Sequence, residues 1–510
     1  MPLGRSHGVA LVGLTGHLIA VEADIADGLP AFVLVGLPDA SLTESRDRVR
    51  AALSNARAPL PSRRITVNLS PADLPKRGSA FDLAVAAALL VACDKADPSS
   101  VARRVHLGEL GLDGRVHPVR GVLPAVAAAV RAGHHRVVVP RGNAVEARLV
   151  PGAEVVSVAS LGELIALHTG EPVFETEPDP DAAPAPLRRP EPDLADVVGQ
   201  SMARHALEVA AAGGHHMLMI GPPGAGKTML AARLPGLLPD LDDAAAMEVT
   251  AVHSVSGTLD AAGGLIRRPP FEDPHHTCTP VALVGGGSGL PRPGAASRAH
   301  RGVLFLDEAA EFEQRALDAL RQPLEQGVLT LHRAQGMARY PARFQLVLAA
   351  NPCPCGRSWG KGLDCTCTPA ARRRYLGRLS GPLLDRIDLQ LEVGGLSRAD
   401  LLVASPGESS RQVRVRIEAA RAAQAERLAP TPWRLNSTVD GNYLRTVLKL
   451  PAAVTRSLDV RFDTGEVTMR GYDRMLRLAW TLADLAGRDR PGAQDVDQAV
   501  MMRRQGRVAA

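Results

Sequence analysis

A glycine-rich segment at residues 221–228 constrains the fold of this 510-residue chain more than any other feature. It reads GPPGAGKT, which fits the pattern G-x-x-x-x-G-K-[ST], and it follows an apolar strand predicted at 217–221. A helix is predicted directly after it, at 228–234. A strand, a phosphate-binding loop and a helix in this order are typical of a parallel α/β sheet that binds a nucleotide. A glycine-rich turn without a ligand is the alternative, and the strand-to-helix context speaks against it.

Each type of residue in this loop has a chemical role in binding phosphate or Mg²⁺. Glycines let backbone N–H groups curve around phosphate oxygens, and the Thr228 hydroxyl is placed to bind Mg²⁺. Lys227 is predicted to reach the β- and γ-phosphates of ATP. Only five of the 59 basic residues are lysines, so lysine at this position is informative, because arginine does not replace a compact ammonium there. The predicted nucleotide-binding residues of the loop are Gly221, Pro222, Pro223, Gly224, Ala225, Gly226, Lys227 and Thr228.

Polar side chains follow two further apolar strands, predicted at 303–307 and 344–350. Ligands of parallel α/β sheets bind beside the carboxyl ends of the strands, so these side chains are expected at the nucleotide. Asp307 is predicted to hold Mg²⁺ together with Thr228, and Glu308 to polarise the attacking water as general base. Asn351 is predicted to orient the same water, with an ordinary turn residue as the alternative.

A proline- and acid-rich segment at 171–192 divides the chain. Its seven prolines and six acidic residues predict an extended, semi-stiff linker. Residues 1–170 alternate strand-like runs with alanine-rich helices, which predicts an α/β domain. Residues 193–395 form the predicted nucleotide-binding domain. Residues 396–510 are predicted to be helical, with helices at 409–429, 440–448, 452–463, 468–487 and 492–504.

Composition excludes several classes of protein. No apolar run reaches the roughly 20 residues that a membrane-spanning helix needs, and no secretory signal pattern is present, so we expect a cytoplasmic protein. The net charge of +5 is too small to indicate nucleic-acid binding by itself. Aromatic residues make up 3% of the chain, so base stacking is not expected to dominate.

Four of the six cysteines lie within residues 353–367. Cys353, Cys355, Cys365 and Cys367 form two C-x-C pairs, and four thiolates can close a tetrahedral zinc site. The C-x-C spacing is tighter than the usual C-x₂₋₄-C, so reduced structural cysteines and a redox switch stay open beside structural zinc. Cys278 follows His275 and His276, and for these three a pore-loop or packing role is favoured over a mixed metal site.

The order of motifs resembles one family closely. VVGQ (197–200), GPPGAGKT, VLFLDE, NPCPCG (351–356) and LSGPLLDRIDL (379–389) resemble the Mg-chelatase-like branch of AAA+ ATPases. PHHT (274–277), VGGG (284–287), LRQPLEQG (320–327) and TMRGYDRMLRLAWTLADLAG (468–487) are similar to its ComM/YifB family. The N-terminal stretches at 35–53 and 67–89 share this similarity, which therefore extends over nearly the whole chain.

The resemblance implies a ring homo-hexamer that holds ATP between neighbouring subunits. Arg386 in LLDRID then resembles an arginine finger, and Arg470 in TMRG resembles a sensor arginine that contacts the nucleotide of its own subunit. Arg378, Arg474 and Arg477 are nearby competitors. A hairpin predicted at 328–344 carries Arg333 and Arg339, which in this branch would face a central pore and contact DNA phosphates without reading the base sequence. A solvated hairpin is the alternative.

The N-terminal domain resembles the Lon-type protease fold, in which a serine and a lysine form the catalytic pair. Ser79 lies near the position of the serine, but the lysine position falls around Leu123–Ala125, and no lysine occurs between Lys95 and Lys227. Without a neutral amine as base the hydroxyl is not activated, so we expect no proteolysis.

Taken together, these resemblances imply an ATP-driven ring motor acting on branched or single-stranded DNA. The expected activity is helicase-like branch migration in homologous recombination and natural transformation. Two alternatives stay open: a Mg-chelatase-type motor for inserting a metal into a tetrapyrrole, and a regulatory scaffold in which ATP only orders a ring.

Overall fold

Two β-sheets and a set of C-terminal helices organise the chain. The computed structural model describes residues 3–36, 40–72, 74, 76, 78–172, 191–287, 291–333, 336–360, 364–395 and 407–504. Most of the predicted linker 171–192 lies outside the described residues, as does the start of the predicted helical region at 396–406.

The N-terminal region is built on a mixed seven-stranded sheet with the strand order β3-β4-β2-β1-β5-β8-β9. Strand β2 pairs antiparallel with β1 and β4, and the other neighbours in the sheet are parallel. Its elements are β1 (Gly4–Val12), β2 (Thr15–Ala26), β3 (Ala31–Val35), α1 (Ala40–Asn55), β4 (Arg64–Ser70), α2 (Asp82–Ala92), α3 (Pro98–Ala102), β5 (Val105–His106), β6 (Glu109–Leu110), β7 (Val116–His117), α4 (Val122–Arg131), β8 (Arg136–Pro140), α5 (Ala144–Arg148), β9 (Glu154–Val158) and α6 (Leu161–Thr169).

Helices cover both faces of this sheet. Every residue of α2 is buried, which explains why its sequence is almost entirely alanine, leucine and valine. On the opposite face α4 packs in a second apolar core, which also contains Ala251 of the next region. The N-terminal region therefore shares part of its core with the region that follows.

The central region contains a five-stranded sheet in which every neighbouring pair is parallel, with the order β11-β14-β17-β10-β18. The predicted strands at 217–221, 303–307 and 344–350 are three of its members. The elements are α7 (Ser201–Gly213), β10 (Met217–Ile220), α8 (Lys227–Ala231), α9 (Leu234–Leu237), α10 (Asp243–Ser256), β11 (Phe271–Glu272), α11 (Pro280–Val284), β12 (Gly285–Gly286), β13 (Arg292–Pro293), α12 (Ala295–Arg298), β14 (Val303–Leu306), α13 (Gln314–Ala319), α14 (Arg321–Gln326), β15 (Val328–Arg333), β16 (Gly336–Pro341), β17 (Gln345–Ala350), α15 (Pro369–Leu376), α16 (Gly381–Leu384) and β18 (Leu389–Glu392).

Alternate residues of the central strands enter two different cores. Met217 and Met219 of β10 pack with α7 and the C-terminal helices, whereas Leu218 and Ile220 pack with α11 to α14. The continuous apolar run MLMI is thus explained by burial on both faces of a parallel sheet.

The C-terminal region is helical, as predicted from the sequence. Its helices are α17 (Ser410–Arg427), α18 (Gly441–Thr446), α19 (Ala452–Asp463), α20 (Met469–Leu485) and α21 (Ala493–Arg504). Ser409 begins α17 with a capping box, in which its hydroxyl accepts from the Gln412 backbone N–H. The fold class predicted from the sequence, an α/β protein with a parallel nucleotide-binding sheet and a helical C-terminal region, is confirmed. No helix in the described part of the chain is long and apolar enough to cross a membrane.

A buried carboxylate joins the central sheet to the C-terminal helices. Asp388, just before β18, contacts the Arg474 guanidinium of α20, and its Oδ2 lies 3.2 Å from Nδ1 of His215. Burial alone would raise the pKa of the Asp388 carboxyl, but Arg474 and His215 hold it well below its usual range. Nε2 of His215 lies 2.8 Å from the Thr481 hydroxyl, which extends the contact along α20.

We expect Asp388→Ala to lower the free energy of unfolding by about 3–5 kcal/mol, because it leaves the Arg474 guanidinium, whose side chain is 15% exposed, without its carboxylate. The matched control is Asp385→Ala, three residues earlier. The Asp385 side chain is 46% exposed and lies 3.9 Å from Arg470, so its loss should cost less than about 1 kcal/mol. Urea unfolding followed by tryptophan fluorescence measures both. Equal losses for the two variants would contradict the assigned role of Asp388.

Candidate nucleotide site

The functional side chains predicted from the sequence meet at one edge of the central sheet. Strands β10, β14 and β17 are parallel neighbours, and their carboxyl ends lead directly into the phosphate loop, into Asp307 and into Asn351. The Gly221 N–H donates to the Ala350 carbonyl at 3.1 Å, so the loop begins hydrogen-bonded to the end of β17.

Glycine is required in the phosphate loop for two different reasons. A Cβ at Gly221 would lie 2.0 Å from the Val393 carbonyl oxygen, so no side chain fits at the start of the loop. Gly224 and Gly226 have φ values of +77° and +85°, which side chains disfavour. The loop therefore turns tightly and delivers Lys227 to the first turn of α8.

The Lys227 ammonium lies inside the loop that carries it. Nζ donates to the carbonyls of Gly221 at 2.7 Å and Pro222 at 3.0 Å, and to Oδ1 of Asn351 at 3.2 Å. Burial lowers the pKa of Lys227, and the charges of Asp307 and Glu308 oppose this shift. A cation with three neutral acceptors is suited to exchange them for phosphate oxygens.

Thr228 and Asp307 form the second pair of the site. The Thr228 hydroxyl donates to Oδ2 of Asp307 at 2.5 Å, and Oδ1 of Asp307 accepts from the Glu308 N–H at 2.8 Å. A hydroxyl and a carboxylate in contact offer hard oxygen ligands for one cation, either directly or through water. This geometry fits the Mg²⁺ that the sequence predicts here.

Glu308 has an unusual backbone conformation. Its φ is +50°, in the left-handed region that few residues other than glycine adopt, at the point where the chain leaves β14. Its carboxylate is 49% exposed, and Oε2 lies 3.1 Å from Nδ1 of His276. A half-exposed carboxylate at this edge is accessible to a water molecule, as a general base must be.

Two contacts fix the loop from outside. Nε2 of Gln200 donates to the Ala225 carbonyl at 3.2 Å and to the Gly394 carbonyl at 2.7 Å, which ties the loop to the chain after β18. On the other side, a Cβ at Gly356 would lie 2.6 Å from the Pro223 ring. The cysteine-bearing segment therefore packs directly against the phosphate loop.

The four clustered cysteines converge. Sγ of Cys353 lies 3.4 Å from that of Cys355 and 3.7 Å from that of Cys365, and all four sulfurs, including Cys367, lie within 4.8 Å of one another. Zinc–sulfur bonds of about 2.3 Å place tetrahedral sulfurs about 3.8 Å apart, so the donor set fits zinc. Among the described residues this is the one group of His, Cys, Asp and Glu with the spacing of a metal site.

The pKa values of two thiols in this cluster are shifted in opposite directions. Burial raises the pKa of Cys353 to about 11, whereas the backbone N–H of Arg357 lowers the pKa of Cys355 to about 6. A divalent cation would favour the thiolate form of all four.

The two arginines predicted to act on ATP lie near each other, and the contacts described for their side chains are with residues outside the phosphate loop. Arg386 contacts the Glu325 carboxylate and the Pro382 carbonyl, and burial lowers its pKa, followed by repulsion from Arg321, Arg470 and Arg474. Arg470 is 75% exposed.

The competing arginines have other partners. Arg474 contacts Asp388, Arg477 donates to the Val439 carbonyl at 2.9 Å, and Arg378 donates to the Ala310 carbonyl at 3.0 Å.

The predicted hairpin is formed by β15 and β16, paired from Val328 with Pro341 to Arg333 with Gly336. Arg339 is exposed on β16, whereas the side chain of Arg333 lies outside what the structure describes. A Cβ at Gly13, in the turn between β1 and β2, would lie 2.7 Å from the Arg339 carbonyl oxygen. The hairpin thus touches the N-terminal region.

Sequence reasoning missed two partners of the site, His276 and Gln200. The sequence predicts a pore-loop or packing role for His276, and no spacing rule relates this residue to the end of a strand 31 residues later. Gln200 belongs to the VVGQ motif, but its contacts with residues 225 and 394 depend on the folded chain.

Three segments of the chain match profiles of one family. Residues 193–401 match "Magnesium chelatase, subunit ChlI", residues 21–143 match "Subunit ChlI of Mg-chelatase", and residues 407–503 match "Magnesium chelatase, subunit ChlI C-terminal".

Individual proteins are similar over longer stretches. An uncharacterized protein of Mycobacterium tuberculosis is 53% identical over 511 residues, which cover 99% of each chain. The competence protein ComM of Haemophilus influenzae is 40% identical over 491 residues, 96% of this chain and 94% of that protein. The Lon protease of Rhizobium meliloti is 30% identical over 216 residues, 39% of this chain and 26% of that protein. With matches of this length and identity, the chain belongs to the ComM/YifB family of Mg-chelatase-like AAA+ ATPases.

Proposed function

We propose that this protein is a cytoplasmic ring motor that hydrolyses ATP to drive branch migration of DNA in homologous recombination and natural transformation. The observation that carries the ATPase is the meeting of Lys227, Thr228, Asp307, Glu308 and Asn351 at one sheet edge. The DNA substrate is supported by the similarity to a protein named for competence.

The chemistry follows from the positions of these groups. Lys227 would exchange its carbonyl and amide partners for the β- and γ-phosphates, and Mg²⁺ on Thr228 and Asp307 would neutralise phosphate charge. Glu308 would accept the proton of the attacking water, and Asn351, released from Lys227, would orient that water. Each group then acts on charge that develops during transfer of the γ-phosphoryl group.

Arg386 is proposed to reach the ATP of a neighbouring subunit in a homo-hexamer. An arginine finger is worth ~10³–10⁵ in rate, since it neutralises charge on the γ-phosphate. Arg470 is proposed to contact the nucleotide of its own subunit. Because Arg470 lies near Arg386, mixed rings of inactive variants are needed to show which subunit each arginine serves.

DNA is proposed to contact the hairpin β15–β16 in the central pore. Arg339 is exposed there, and Arg333 lies on the opposite strand near the turn. Guanidinium groups on a hairpin contact backbone phosphates whatever the base sequence, so single-stranded and branched DNA would both bind.

Two further assignments concern the domains of the chain and the residues that would bind zinc. We propose a Lon-like domain at 1–170 without protease activity, a linker at 171–192, the ATPase domain at 193–395 and a helical lid at 396–510. We also propose that Cys353, Cys355, Cys365 and Cys367 hold structural zinc, which would fix the segment packed on Pro223.

ATP turnover with and without DNA tests the proposed function. We expect four-way or forked DNA to stimulate hydrolysis, and Glu308→Gln to abolish both hydrolysis and strand exchange while nucleotide still binds, because the general base is lost. Arg339→Ala should weaken DNA binding and reduce its dependence on salt. Turnover that ignores DNA, with strand exchange intact in Glu308→Gln, would contradict the motor and favour the metal-insertion or scaffold alternatives.

Mixing two inactive variants tests which subunit each arginine serves. Arg386→Ala and Glu308→Gln subunits mixed at equal amounts should regain ATPase activity, because about one site in four then combines both intact residues from different subunits. Arg470→Ala mixed with Glu308→Gln should stay inactive if Arg470 serves its own subunit. Recovery in the second mixture would assign Arg470 to the neighbour, and failure of the first would overturn the arginine finger.

Metal analysis of the purified protein tests the cysteine cluster. We expect about one zinc per chain, lost in Cys365→Ser because three thiolates hold the ion more weakly than four. Cys278→Ser is the control, since this free cysteine lies outside the cluster and should leave the zinc content unchanged. Protein without bound metal, purified without chelator, would contradict the assignment.

A further inference from the structure

Among the described residues, one side chain contacts the Glu308 carboxylate, which is otherwise open to solvent. Nδ1 of His276 lies 3.1 Å from Oε2 of Glu308, and the His276 side chain is 29% exposed. This contact places the imidazole against one of the two carboxylate oxygens. His276 thereby restrains one carboxylate oxygen and leaves the other to receive a water molecule.

The loop that presents His276 is held in place at several points. It begins after β11, which pairs with β14, the strand that ends two residues before Glu308. The Cys278 N–H donates to the His275 carbonyl at 2.9 Å, and the Cys278 side chain packs against an apolar core. Thr279 then caps α11, with its hydroxyl accepting from the Ala282 N–H at 3.2 Å. These contacts hold the loop that carries the His276 imidazole.

The backbone of Glu308 adds a second restraint. Its left-handed conformation, with φ of +50°, sets the direction in which the side chain leaves the chain. Residues held in such conformations cluster at functional sites, where neighbouring structure determines them. The backbone conformation and the imidazole contact both act on the position of the carboxylate, and a small displacement of a general base lowers the rate.

We propose that His276 is the positioning residue of the general base, which holds the Glu308 carboxylate in the orientation that accepts the proton of the attacking water. This role rests on the proposed hydrolysis of ATP by Glu308. It resembles other catalytic sites in which a third group orients the base, although here the imidazole orients and the carboxylate acts.

Kinetics of three variants of the full-length protein test this role. His276→Ala should lower kcat for ATP about 10- to 100-fold with KM and nucleotide affinity unchanged, since only the orientation of the base is lost. His276→Asn should restore most of kcat, because its amide nitrogen replaces Nδ1 as donor. His275→Ala is the matched control: its ring centroid lies 4.2 Å from that of His276 in a tilted arrangement, but its Nδ1 contacts the Thr277 hydroxyl at 2.8 Å. It should retain wild-type kcat.

A double variant completes the test. His276→Ala added to Glu308→Gln should not lower the residual rate further, because His276 acts only through the carboxylate. An unchanged or raised kcat in His276→Ala, a parallel rise in KM, or no rescue by asparagine would each overturn the proposal. Failure of the proposed function is distinguishable, since Glu308→Gln would then hydrolyse ATP as fast as the wild type.

Discussion

The parallel direction of the central strands is the constraint on which the site depends. All neighbouring pairs in this sheet are parallel, so every strand delivers its carboxyl end to the same edge. Lys227, Asp307 and Asn351 are separated by 80 and 44 residues in sequence, yet hydrogen bonds link Lys227 to Asn351 and Asp307 to Thr228. An antiparallel strand at any of these places would carry its polar tip to the opposite edge.

Segments outside the sheet attach to this same edge and fix what the strands bring together. The loop with His276 reaches the Glu308 carboxylate, the cysteine-bearing segment packs on Pro223, and Gln200 binds the Ala225 carbonyl. Each contact comes from a different segment of the chain. The site is thus sensitive to changes in three separate segments, although none of them supplies a phosphate-binding group.

The sequence predicted those parts of the fold and site that depend on local pattern. Residue types at fixed offsets predict the phosphate loop, the apolar strands, and the polar residues Asp307 and Asn351 that follow two of those strands. The helix at 452–463 has the predicted bounds. The sequence does not predict strand β11, which has two residues, or strand β18, whose leucines alternate with Gln390 and Glu392 and so form no continuous apolar run. Contacts such as that of His276 with Glu308 depend on how distant segments pack, and no local pattern encodes them.

The same distinction explains the N-terminal region. Around Leu123–Ala125, where the Lon-like resemblance would place a lysine, α4 is buried instead in the core that includes Ala251 of the central region. The Leu123 N–H donates to the Glu146 carboxylate at 3.0 Å, and the Ser254 hydroxyl of the central region contacts the same carboxylate. These contacts bury the segment against another part of the chain, and none of its side chains carries an amine that could activate the Ser79 hydroxyl. This segment therefore serves the attachment of the N-terminal region to the central region.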